Sequence, residues 1–121
     1  PRYLTRSKNF DTFFSFGPEL ITPDEVPDVT SLNVGTWKNG GLHRENVVRN
    51  MQFPPATLVA FHSHVMTLFP GDIISTGTPV GAGVRFDPPR FLAPGDIVEV
   101  EVSGVGTLTN TVRDEVERGN S

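Results

Sequence analysis

Cysteine is absent from the chain. Disulfides, thiolate metal sites and cysteine nucleophiles are therefore excluded, and a reducing, cytoplasmic setting is expected. There is no basic excess: 10 Lys and Arg stand against 14 Asp and Glu, a formal net charge of −4 with both signs interspersed. A nucleic-acid surface needs a clustered basic patch, so no nucleic-acid partner is expected. No apolar run approaches the roughly 20 residues that span a bilayer. Pro1-Arg2-Tyr3-Leu4 has no apolar segment behind a basic start, so neither a membrane span nor a secretory leader is expected. The chain does not begin with methionine and starts in what reads as mid-element, so a fragment or a processed product is expected.

Turn formers, by contrast, are plentiful. Twelve glycines and 11 prolines in 121 residues favour short strands and many turns, in a single domain over residues 1–121. Residues 10–21 hold Phe10, Phe13, Phe14, Phe16, Leu20 and Ile21 around a Gly17-Pro18 break, which predicts two short extended pieces. Thr22-Pro23-Asp24-Glu25 has the pattern of a capped single turn, with Thr22 as cap and Glu25 reaching back to it. Residues 31–37 alternate, and Lys38-Asn39-Gly40-Gly41 is a hairpin turn leading into a return strand from Leu42 to Val48. Pro54-Pro55 opens the one convincing helix, about residues 55–66.

One pattern occurs twice. Leu68-Phe69-Pro70-Gly71-Asp72-Ile73-Ile74 is echoed by Leu92-Ala93-Pro94-Gly95-Asp96-Ile97-Val98, each a Pro-Gly turn feeding an apolar run. The first run breaks into Ser75-Thr76-Gly77-Thr78-Pro79-Val80-Gly81-Ala82-Gly83 and is expected to be a buried strand delivering backbone amides and hydroxyls to a site. The second, Ile97–Val102, alternates as a half-buried strand, with a hairpin partner from Thr107 to Val112 after Gly104-Val105-Gly106.

Four groups of residues could carry chemistry. Lys8, beside the aromatic cluster, reads either as a surface lysine or as an ammonium that stabilises a developing oxyanion. Thr76-Gly77-Thr78 reads either as a structural turn or as a pocket for a carboxylate or carbonyl, since glycine admits a ligand to the backbone and threonine adds a hydroxyl. Glu99 and Glu101 share one strand face and could imitate an oxygen-ligand pair, but alternation with Val98, Val100 and Val102 marks a solvated face. His62 and His64 stand two apart on a helix and cannot jointly hold a metal; His43 is isolated.

The ordered set of motifs resembles a known family. Lys8-Asn9-Phe10-Asp11-Thr12-Phe13 with Gly17-Pro18 is similar to the Lys-Ser-Phe-Asp-Thr-Phe…Gly-Pro segment of the fumarylacetoacetate hydrolase family. Thr22-Pro23-Asp24-Glu25, Asn39-Gly40, Met66-Thr67-Leu68, Pro70-Gly71-Asp72 and Thr76-Gly77-Thr78-Pro79 follow in the same order. Pro88-Pro89-Arg90-Phe91-Leu92, Pro94-Gly95-Asp96 and Gly104–Val112 complete it, so that the likeness runs from Ser7 to Val112.

The resemblance implies a mostly β (α+β) fold, a mixed β-roll or sandwich with one main helix, and identifies the chain as the C-terminal part of a catalytic domain whose upstream half is absent. It implies a Mg²⁺- or Mn²⁺-dependent enzyme acting on 2-oxo acids or β-dicarbonyl compounds: an acylpyruvate C–C hydrolase, or an isomerase or decarboxylase of the same family. Lys8 would be catalytic, beside the metal; Thr12 would lie in the same outer shell; Thr78, with Gly77, would bind substrate. The metal carboxylates would come from upstream, leaving Glu99 and Glu101 as a decoy. Where relatives commonly read Thr-Ser-Asp-Met, this chain has Val48-Arg49-Asn50-Met51, a lost carboxylate. Half of a shared core leaves apolar surface uncovered, so the chain is expected to form a homo-oligomer or to pair with its missing half.

Overall fold

Asn39 and Gly40 both adopt positive φ, 52° and 76°, the backbone of a two-residue type I′ turn whose twist matches that of paired strands. In the computed structural model, which describes residues 8–115, this turn joins β1 (Asn33–Lys38) to β2 (Gly41–Val47). Strand β3 (Ile97–Val102) pairs antiparallel with the other side of β1, and β4 (Gly106–Thr111) pairs with β3, so the sheet order is β2-β1-β3-β4. The expected hairpins are therefore present; β1 starts two residues later than expected, and the other strands lie within a residue of their predicted bounds. The single helix, α1 (Pro55–Val65), opens on Pro55, whose missing N–H is one of the unpaired first-turn donors in any case. No helix among the described residues is long and apolar enough to cross a membrane.

Register divides the sheet into two unlike faces. Val34, Thr36, Arg44, Asn46, Val98, Val100, Val102 and Leu108 share one face. Gly35, Trp37, Glu45, Glu99 and Glu101 share the other. The β1–β2 ladder slips between Thr36 and Trp37: Thr36 faces Arg44 but Trp37 faces Leu42, leaving His43 as the extra residue of a bulge. Gly35 is required here, because a Cβ at that position would collide with the Trp37 indole.

The two Pro-Gly-Asp units close the same turn. Asp72 N donates to Phe69 O at 3.0 Å and Phe69 N to the Asp72 carboxylate at 2.8 Å; Asp96 N donates to Ala93 O at 3.0 Å and Ala93 N to the Asp96 carboxylate at 2.7 Å. Asp96 goes further. It takes an ion pair from Lys38 at 2.7 Å and a hydrogen bond from Asn39 Nδ2 at 2.8 Å, and Asn39 Oδ1 accepts from Ile97 N at 2.8 Å. Bonds from Lys38, the Ala93 amide and Asn39 hold its carboxyl at about 2, below the usual 3.8.

Two expectations fail. Ile73 and Ile74 do not form a buried strand: Ile73 is 59% exposed, and the run has no ladder partner among the described residues. Both sides of β1 are already taken, by β2 and β3, so this chain offers the run no central strand to join. The aromatic stretch forms no strands either. Phe13 N donates to Phe10 O at 3.1 Å in a tight turn, and the rings of Phe10, Phe13, Phe14 and Phe16 are all at least half exposed. By contrast, the Thr22 turn forms as expected, with the Glu25 carboxylate accepting from both Thr22 N and Thr22 Oγ1.

No apolar side chain among the described residues is fully buried; the buried positions are Gly35 and Thr36, at the centre of the sheet. Accessible surface totals 10377 Å², where a folded monomer of 13.2 kDa has roughly 6,400 Å². The sheet is formed, but the layer that should cover its apolar neighbours is not supplied by the described residues.

Candidate functional site

A cavity of about 490 Å³ lies at the β2 end of the sheet. Its floor is Val34 of β1 with Asn46 and Val47 of β2. One wall is Val48 and Asn50–Phe53, on the segment that leads from β2 into α1, joined by Leu58 of the helix. The opposite wall is Thr76-Gly77-Thr78-Pro79-Val80. Gly77 has φ 94° and nothing lies within 4 Å of where its Cβ would be, so the backbone is left bare toward open space. None of residues 73–80 makes a hydrogen bond to another described residue. The free donors are therefore the amides of this stretch and the hydroxyls of Thr76 and Thr78. Such donors suit an anionic or carbonyl oxygen, and the threonine methyls and Pro79 supply apolar contact beside them.

Asparagines polarise the floor. Asn50 Nδ2 donates to Asn46 Oδ1 at 2.8 Å, and Val47 N donates to the same oxygen at 2.8 Å. Asn50, where the resemblance leads one to expect a carboxylate, lines this cavity. No residue lining it is ionisable.

Of the residues singled out from sequence, the structure brings Gly77 and Thr78 together in this cavity. Lys8 and Thr12 do not line it. Their segment is anchored at the far edge of the sheet, where Ser15 Oγ donates to Asn110 Oδ1 at 3.1 Å and a Cβ at Gly106 would meet the Pro18 ring. Thr12 itself has φ 70°, a left-handed backbone that a β-branched residue rarely adopts and that is often found beside functional sites.

Glu99 and Glu101 stand on the sheet face opposite the cavity. Among the described residues no group of three His, Cys, Asp or Glu could hold a metal ion. A metal centre therefore does not fit the described residues. His62 and His64 remain apart on α1, and His43 packs its ring on Phe86 at 5.3 Å. Sequence reasoning missed Asn46 and Arg44: the first lines the cavity and the second adjoins it. The signal was available, since both alternate with Glu45 on a strand whose turn was legible.

Comparison with known proteins bears on this arrangement. The family model described as fumarylacetoacetate (FAA) hydrolase C-terminal matches residues 2–113. A mitochondrial oxaloacetate tautomerase of Bos taurus is 43% identical over 105 residues, 87% of this chain and 33% of that protein. The solved fumarylacetoacetate hydrolase of Exiguobacterium antarcticum superposes with a TM-score of 0.87 at 37% identity, over 91% of this chain and 39% of that one. Maleylpyruvate hydrolase of Sphingobium sp. SYK-6, solved with manganese (II) and pyruvate, gives 0.72 at 35% identity, over 80% and 34%. The chain thus spans well under half the length of these relatives. With the family model matched along nearly its whole length and the fold shared, the chain belongs to the fumarylacetoacetate hydrolase family and corresponds to the C-terminal part of that fold.

Proposed function

We propose that this chain supplies the substrate-binding wall of an enzyme acting on 2-oxo acids or β-dicarbonyl compounds, with hydrolysis of an acylpyruvate C–C bond as its reaction. The observation that carries the reading is the row of unpaired donors on Thr76–Val80, facing a cavity with no ionisable lining. Thr78 Oγ1 and the Gly77–Thr78 amides donate to a substrate carboxylate or carbonyl oxygen. Lys8 would bring an ammonium to the negative charge that forms when the bond breaks, and Thr12 would lie with it in the outer shell of the metal. Mg²⁺ or Mn²⁺ would act as a Lewis acid on the oxo group, with carboxylate ligands supplied by the upstream part of the family fold. Isomerisation and decarboxylation use the same donors and are separated from hydrolysis by product analysis. A cytoplasmic setting, expected from the cysteine-free sequence, completes the reading.

The test is calorimetric titration with pyruvate. Thr78→Val keeps the shape and removes the donor, and a hydrogen bond to a charged group is worth about 1.5–3 kcal/mol, so affinity should fall about tenfold or more. Unchanged affinity rejects the role of Thr78.

A second reading is favoured by the lack of a metal-binding cluster among the described residues. The chain by itself would then be a carboxylate-binding and assembly module without turnover. Titration with Mg²⁺ alone separates the two: tight binding by this chain counts against the module. The open surface supports pairing with a second copy or with the rest of the family fold. A stable monomer in light scattering at micromolar concentration would contradict that pairing.

A further inference from the structure

The cavity wall, residues 76–80, makes no hydrogen bond to another described residue, so its distance from the floor is set by what flanks it. Downstream, Gly81 and Ala82 separate it from a closed loop. Gly83 O accepts from Phe86 N at 3.3 Å and from Arg90 N at 2.9 Å, which ties residues 83–90 into one unit. None of the hydrogen bonds that residues 81–90 make to described residues reaches the sheet. The exit of the loop is tied to β1, where Lys38 Nζ donates to Phe91 O at 3.2 Å.

Rings seat the body of the loop. The Phe86 and His43 ring centroids are 5.3 Å apart, and the Arg90 guanidinium stands 4.6 Å from the Phe86 centroid. Phe86 is the half-buried member of residues 84–90, and the others are exposed. A ring pair and a cation over the same ring add to the area that Phe86 buries. His43 is the extra residue of the β2 bulge, and a bulge re-aims a side chain out of the regular alternation. The floor residues Asn46 and Val47 stand three and four positions farther along that strand, about 10–14 Å away. Seat and floor therefore share one rigid element.

We infer that His43 and Phe86 are positioning residues: their paired rings hold the 83–90 loop on β2 and thereby set how far the 76–80 wall stands from the floor. Neither lines the cavity. Arg90 supports the pair twice, since its amide closes the loop and its guanidinium covers the Phe86 ring. The consequence for carboxylate binding rests on the proposed reading of the cavity; the consequence for the wall itself does not.

Both consequences are read on the 121-residue chain by NMR of the Thr76, Gly77, Thr78 and Val80 amides, first without ligand and then during titration with pyruvate. Phe86→Leu keeps an apolar side chain but removes the ring. It should shift those resonances in the ligand-free chain and weaken pyruvate binding about tenfold, with hydrogen exchange in β1 and β3 as in the parent. Phe86→Tyr and His43→Phe keep a ring at each position and should bind within about twofold of the parent. His43→Ala should match Phe86→Leu, and the double variant should bind no more weakly than either, because both changes remove the same contact. Unmoved wall resonances in Phe86→Leu, a loss in Phe86→Tyr as large as in Phe86→Leu, or additive losses in the double variant overturn the role of the pair. Faster exchange throughout β1 and β3 in Phe86→Leu overturns it too, because the effect is then a general loss of stability. Failure of the cavity reading is separate: pyruvate then does not bind the parent, while the ligand-free resonances still judge the pair.

Discussion

The two Pro-Gly-Asp units begin alike and end differently. Each closes its turn with the same backbone bond and the same aspartate-to-amide bond. After Asp96 the chain enters β3 and is paired on both sides; after Asp72 it runs exposed and unpaired into the cavity wall. The turn is thus a local property, decided by proline's fixed φ and by glycine at φ 98° and 89°. The strand is not local. It forms where neighbouring backbone offers a ladder and where Lys38 and Asn39 lock the aspartate in place. The unpaired unit is the one that carries Thr76–Thr78, so its idle amides are free for a ligand.

Hydrogen exchange should separate the two units most widely. Amides of Val98–Val102 should exchange at least about 100-fold more slowly than those of Ile73–Ser75, because paired central strands open only with most of the sheet. Equal protection would break the comparison. Next in size come glycine substitutions. Gly35→Ala drives a Cβ into the Trp37 indole within the sheet and should cost about 2 kcal/mol in chemical denaturation. Gly77→Ala meets no neighbour and carries only its φ of 94°, so about 1 kcal/mol is expected, with the larger effect on carboxylate binding.

A smaller, pH-dependent difference should distinguish the aspartates. The carboxyl of Asp96 is depressed from 3.8 to about 2 in the folded chain, so its stabilisation is complete above pH 3.8 and is lost as pH falls through 2. Asp96→Asn should therefore lower Tm at pH 6 and converge on the parent near pH 2. Asp72→Asn loses a single amide bond, to Phe69, and should lower Tm less at pH 6. A Tm gap for Asp96→Asn that does not narrow in acid would remove the carboxylate lock from the account.

Much of the sheet was legible because its signals are short-range. Asn39-Gly40 specifies the positive-φ turn, the Val-Glu alternation of β3 specifies its faces, and Pro54-Pro55 marks the helix start. Gly77 and Thr78 were legible as glycine and hydroxyl at the end of an apolar run. What was not legible depends on residues far apart in sequence. The fate of Ile73 and Ile74 turns on which strands occupy β1, and the setting of Arg44 turns on Thr36 across a bulge that local alternation does not reveal. The left-handed Thr12 is hidden for a related reason: threonine disfavours that backbone, so the residue type argues against what its surroundings impose.

The most direct test is a crystal structure, with Mg²⁺ and oxalate, of this polypeptide assembled with the part of the family fold that it does not span. Oxalate should lie on Thr78 Oγ1 and the Gly77–Thr78 amides, with Lys8 Nζ directed into the same cavity. Oxalate bound away from Thr76–Val80, or Lys8 Nζ facing a separate cavity, would contradict the account.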